Sequence, residues 1–195
     1  MKKLTIVAAT LISAGVILIG FTFGAKYWTY HKQNSMINAY EKKINNAKHS
    51  KKKNPAHAAE LKDKIADGTI GILEIPKIDL KVAIGEGTDM KTLKYAVGHF
   101  KNTAMPGEDG NFCLAGHRSY TYGQYFNRLG EIKIGDEMTV ETINGTYKYK
   151  VYSTQVVLPS EVHVLDQSKD ATMTLVTCTP IRIATHRLII KAKKI

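Results

Sequence analysis

Three regimes of hydrophobic patterning follow one another along the chain. Leu4 to Gly24 is apolar or small throughout and carries no charge. Its 21 residues match the roughly 20 that a helix needs to cross a bilayer. Residues 25–66 are polar and lysine-rich, yet Ile37, Tyr40 and Ile44 fall at helical spacing, so part of this stretch is expected to be helix. From Gly68 the pattern turns to short β-branched runs closed by glycine and proline. The expected strands are Thr69–Ile75 before Pro76, Leu80–Ile84 before Gly85 and Gly87, Asn111–Ala115 before Gly116, Ala171–Cys178, and Arg187–Ala192. Glu137–Thr142 and Thr146–Val157 flank Ile143–Asn144–Gly145, a hairpin signal. Short helices are expected at Met90–Tyr95 and Tyr122–Leu129. Seven or eight short strands with regular turn signals predict a mostly β fold, a closed or nearly closed barrel preceded by an N-terminal helix. No internal repeat stands out.

The charge distribution sharpens this division. The net charge is +11. Residues 1–66 hold 12 basic and 3 acidic side chains, against 16 and 14 in residues 67–195. The basicity therefore belongs to the appendage, and a nucleic-acid-binding role, which would place the charge on the fold, is not expected. The expected organisation is a transmembrane anchor at 1–24, a basic polar linker at 25–67 and a folded domain at 68–195 that stands alone when it begins near Gly68. The linker's lysines read as a solvated spacer or, alternatively, as a surface for lipid or wall polymer. Tyr27, Trp28 and Tyr30 follow the apolar run like an interfacial aromatic belt, which favours an uncleaved anchor over a signal peptide. Counting Lys2 and Lys3 against Lys26, Lys32, Lys42 and Lys43, positive-inside logic would keep the domain on the cytoplasmic side.

Only two cysteines occur, Cys113 and Cys178. With no CxxC and no ligand cluster, neither a metal nor a cofactor is expected. Cys113, within Phe112–Cys113–Leu114, reads as a buried hydrophobe. Cys178 closes the strand Thr174–Leu175–Val176–Thr177–Cys178, where a side chain sits at a sheet rim within reach of substrate. A nucleophilic cysteine needs a proton shuttle and a donor for the oxyanion. His117, just past Leu114–Ala115–Gly116, is the candidate shuttle. Arg187, opening the last strand, is the candidate cation, with a planar fork of donors. Each also has a bland reading: a packed thiol, a loop histidine, an edge charge. His186 reads as a flanking residue.

The segment Thr174–Cys178 resembles the TLxTC signature of sortases. Leu114–Ala115–Gly116–His117 resembles their LAGH segment, and Arg187 falls at the position of the family's active-site arginine. Ile72–Ile78 resembles the first-strand pattern, and Gly98–His99, Pro106–Gly107 and Gly110–Asn111 resemble the approach to the histidine strand. The resemblance implies an eight-stranded sortase β-barrel outside a Gram-positive-type membrane. It implies a cysteine transpeptidase that cleaves an LPxTG-like sorting signal between Thr and Gly through a Cys178 thioester. An amine from a cell-wall precursor or a pilin then takes the acyl group, with water as a side reaction. His117 is implied as general acid/base and Arg187 as the oxyanion or substrate-orienting group. The expected substrate contacts are Ala115, Leu158, Val176, Thr177 and Ile183. Thr185–His186–Arg187–Leu188 resembles the pilin-polymerising class C enzymes, but residues 25–66 lack the Asp-Pro-aromatic plug of their lid, so the resemblance is to class D or class A. The rivals are a membrane-anchored cysteine hydrolase and a non-catalytic surface binding module on the same barrel.

Overall fold

Why the chain closes on itself follows from strand pairing. In the computed structural model, which describes residues 2–53, 68–118 and 124–195, eight strands form one closed barrel. They are β1 (Thr69–Ile75), β2 (Leu80–Glu86), β3 (Val97–His99), β4 (Gly110–Ala115), β5 (Glu137–Thr142), β6 (Gly145–Val157), β7 (Ala171–Thr179) and β8 (His186–Lys194). The order around the barrel is β1-β2-β3-β4-β7-β8-β6-β5, and β5 pairs with β1 to complete the ring. Closure leaves no unpaired edge, which suits a sheet of short strands.

Alternation decides which side chains fill the ring. Leu73, Ile75, Val82, Ile84, Phe112, Leu114, Met138, Val140, Tyr149, Met173, Leu175 and Ile190 point inward and make the main core. The intervening residues face outward. On β4 and β7, which pair in parallel, the outer face is itself buried at Asn111, Cys113, Thr172 and Thr174. The segment from Leu158 to Asp170, with its 3-10 turn at Val162–Leu165, lies across it. Asn111 fixes that segment: its Nδ2 donates to the carbonyls of Val164 (3.2 Å) and Asp166 (3.1 Å), and its Oδ1 accepts from Thr174 (2.8 Å).

Strand β3 was not foreseen. It is three residues long and contains Gly98, so it carries no alternation of its own. The expected helix at Met90–Tyr95 is α2 (Met90–Leu93), started by Asp89, whose Oδ1 accepts from the amides of Lys91 and Thr92. The expected helix at Tyr122–Leu129 is corrected. Tyr122 and Gly123 lie outside the described residues, and the rest forms two 3-10 turns, Gln124–Phe126 and Leu129–Glu131. Here the Asn127 carbonyl accepts from Arg118 Nε (3.4 Å).

The largest departure is at the N-terminus. Helix α1 runs unbroken from Lys2 to Lys53. Among the described residues it is the one helix long and apolar enough to cross a membrane. Its apolar part is laid bare, with Ile6, Leu11, Ile17 and Phe21 all more than 60% exposed. Between Ile37 and Ala47 the chain is not a solvated spacer. Ile37, Tyr40, Ile44 and Ala47 are buried, and the first three pack on Ile72, Ala83 and Ala96 of the barrel's outer face. Tyr40 donates to the carbonyl of Ile70 (2.6 Å), and Glu41 pairs with Lys81 (2.8 Å), which also holds Glu74. A helix that leaves the apolar run is thus fastened along β1 and β2. On the barrel's outer face, Ile72, Ala83 and Ala96 are covered by α1. The expected linker residues 54–67 lie outside the described residues.

Candidate active site

Register brings the chemistry together. Strands β7 and β8 are antiparallel neighbours, and Cys178 is paired directly with Arg187. Directly paired residues project to the same face, with Cα atoms about 4.5–5.5 Å apart. Arg187 is in turn paired with Val157 of β6. On the other side, β4 runs parallel to β7 with Ala115 opposite Val176. Two residues further, His117 comes level with Cys178, and the Gly116 amide still donates to the Val176 carbonyl (3.1 Å). Val157, Arg187, Cys178 and His117 therefore form one row across four neighbouring chain segments, on the barrel's outer face at one rim. Cys178, His117 and Arg187 are all partly exposed.

Each member is held by its surroundings. Gly116, just before His117, lies flat on the Phe126 ring, where an added Cβ would come within 2.5 Å of ring carbon, so only glycine lets the chain pass. The amide of Phe126 donates to the His117 carbonyl (3.2 Å). Two further bonds tie the histidine turn to the cysteine strand. Thr177 donates to the Gly116 carbonyl (2.7 Å), and Arg118 Nη1 donates to the Thr179 hydroxyl (2.9 Å). The residues before and after His117 are thus bonded to the residues before and after Cys178.

Arg187 Nη1 donates to the carbonyls of Ala184 (3.1 Å) and His186 (3.0 Å), which hold its guanidinium against the β7–β8 connection. Both bonds use one nitrogen of a group with five N–H donors in a plane. In that connection Arg182 and Ala184 adopt left-handed backbone (φ 71° and 60°), an uncommon state for residues with a Cβ. His186 Nδ1 faces Thr185 Oγ1 at 3.0 Å.

The two thiols differ in kind. Cys113 is fully buried, and burial pushes its pKa up to about 12. Its sulfur lies 3.5 Å from the Asn111 carbonyl. Such a thiol is protonated and unreactive at neutral pH. Cys178 is partly exposed at the rim, and neither cysteine is in a disulfide.

Of the expected substrate contacts, Ala115 and Val176 are paired on β4 and β7 beside the row and are partly open. Leu158 and Ile183 are exposed on the two connections that flank it. Thr177 does not join them. It is buried on the barrel side, and its hydroxyl is spent on the Gly116 carbonyl. Sequence reasoning also passed over Arg118 and Thr179, although each directly follows a residue it had singled out. Among the described residues no three His, Cys, Asp or Glu side chains gather as metal ligands would.

Comparison with known proteins bears on the family and the fold. A family profile described as the Sortase domain matches residues 73–195. The chain is similar to Sortase D of Bacillus subtilis (strain 168), 35% identical over 129 residues that cover 64% of this chain and 63% of that protein. It is similar to Sortase SrtE1 of Streptomyces coelicolor, 31% identical over 94% of this chain and 55% of that protein. The match thus spans less than two thirds of either relative. Among solved structures, that of a Clostridium perfringens Sortase D5 transpeptidase superposes with a TM-score of 0.73 at 32% identity, covering 85% of this chain and 99% of that one.

Proposed function

This chain belongs to the sortase family, and from that premise we propose that it is a membrane-anchored cysteine transpeptidase acting through an acyl-thioester on Cys178. The observation that carries the reading is the row of His117, Cys178 and Arg187 created by strand register. The thiolate of Cys178 attacks a peptide carbonyl carbon. Arg187 donates to the oxygen that gains charge, as oxyanion donors do in acyl transfer. The C–N bond breaks, and His117 gives its proton to the departing amine. An incoming amine then attacks the thioester, His117 takes up the proton it releases, and the thiolate leaves.

The acyl donor we assign is an LPxTG-like sorting signal cut between Thr and Gly. The acceptor is an amine of a cell-wall precursor or a pilin, with water as a slower alternative. The apolar part of the signal rests on Ala115 and Val176, between Leu158 and Ile183. The apolar part of α1 anchors the enzyme, with the barrel on the extracellular side. The resemblance to class D or class A enzymes supports these assignments.

Mass spectrometry of the protein incubated with a panel of LPxTG-like peptides tests the proposal. The expected result is an adduct of the N-terminal peptide fragment on the wild type and none on Cys178→Ala. A wild type that binds such peptides without forming an adduct would make the barrel a binding module. Product ratios with and without an added amine separate transfer from hydrolysis.

A further inference from the structure

Helix α1 does more than tether the barrel, because its direction along the barrel fixes which end faces the membrane. The strand directions show this. β7 ends at the catalytic rim, at Cys178. β8 is antiparallel to β7, and β6 to β8, so β6 runs the same way as β7. β5 is antiparallel to β6 and β1 to β5, so β1 also runs towards the catalytic end. Ile75 and the start of β2 therefore lie at that end, and Ile70 lies towards the other.

The contacts of α1 can be read against this scale. Gln33 donates to the Lys81 carbonyl (3.5 Å), opposite Glu74 at the catalytic end. Tyr40, seven residues on, donates to the Ile70 carbonyl (2.6 Å). Ile143, in the β5–β6 turn at the far end, packs against the same cluster as Ile44. Seven helical residues advance about 10.5 Å, and the four strand residues from Glu74 back to Ile70 cover about 13 Å, so the two readings agree. Followed towards its N-terminus, α1 leaves the barrel at the catalytic end. The helix is unbroken, so the apolar segment ending at Gly24, about 14 Å before Gln33, stands beyond that end.

From this we infer that the catalytic rim, with Cys178, is the end of the barrel that faces the bilayer, and that the β5–β6 turn faces away from it. This orientation does not rest on the transpeptidase reading.

An experiment on the full chain in lipid nanodiscs tests it. A fluorophore is placed at Ile183→Cys or at Asn144→Cys, each in a Cys178→Ala background, with an energy acceptor on the lipid headgroups. Stronger transfer from position 183 than from 144 is expected; equal or reversed transfer overturns the orientation, whatever the enzyme's activity.

Discussion

The two cysteines show how far environment outweighs residue type. Cys113 is sealed behind the segment held by Asn111, while Cys178 stands at the rim beside Arg187. Alkylation of the folded protein near pH 7.5 should therefore modify Cys178 alone, read by peptide mapping. Cys113→Ala should keep adduct formation, and Cys178→Ala should abolish it. The bond from Arg118 to Thr179 leads to a second expectation. If it helps set the spacing of His117 and Cys178, Arg118→Ala and Thr179→Val should each lower the rate of acyl-enzyme formation by roughly tenfold, since small misplacements of reacting groups are costly. Their combination should be no worse than either alone, because both remove one bond. Fully multiplicative losses would show that the two residues act separately. Arg187→Lys keeps a charge but loses the planar fork, so it should stay folded by thermal melt yet lose about 10²–10³ in turnover. A wild-type rate from Arg187→Lys would leave charge as the sole contribution.

At the scale of elements, most of the barrel was legible because its strands announce themselves twice, by β-branched alternation and by the turn residues that close them. That Cys178, His117 and Arg187 stand near strand ends was legible for the same reason, while the roles expected of them came from the family resemblance. What stayed hidden depends on partners remote in sequence. β3 has three residues and exists because Ile84 and Leu114 lie on either side to pair with it. Thr177 looked like a substrate contact, but one step of alternation turns it inward to the Gly116 carbonyl. Ile37, Tyr40 and Ile44 gave the helical spacing without saying what covers them. The docked helix makes a quantitative claim. Ile44→Ala should destabilise the protein by about 2–5 kcal/mol, as for other buried large-to-small changes. Tyr40→Phe should cost about 1 kcal/mol through its lost hydrogen bond. Denaturant titration of the detergent-solubilised chain, followed at the barrel's tyrosines, measures both. If neither substitution moves the midpoint, α1 rests on the barrel without stabilising it.

For the whole molecule, the question is where the folded unit begins. The family profile starts at residue 73 and the strands at Thr69, yet the barrel's outer face is finished by side chains from Ile37 to Ala47. Burying a large apolar side chain contributes about 1.5–3 kcal/mol, and Ile37, Tyr40 and Ile44 are three such side chains packed on the barrel. A chain beginning at Ala25 should therefore melt higher than one beginning at Gly68. At a few degrees per kcal/mol for a protein of this size, the difference should be roughly 5–15 °C. The shorter chain leaves Ile72, Ala83 and Ala96 open to solvent, so it should also bind a hydrophobic dye in its folded state. Both chains retain His117, Cys178 and Arg187, so near the shorter chain's working temperature their rates on a soluble peptide should agree. Equal melting temperatures and no dye binding would mean that the barrel is complete from Gly68. α1 would then be a tether alone, unable to fix the direction in which the rim faces.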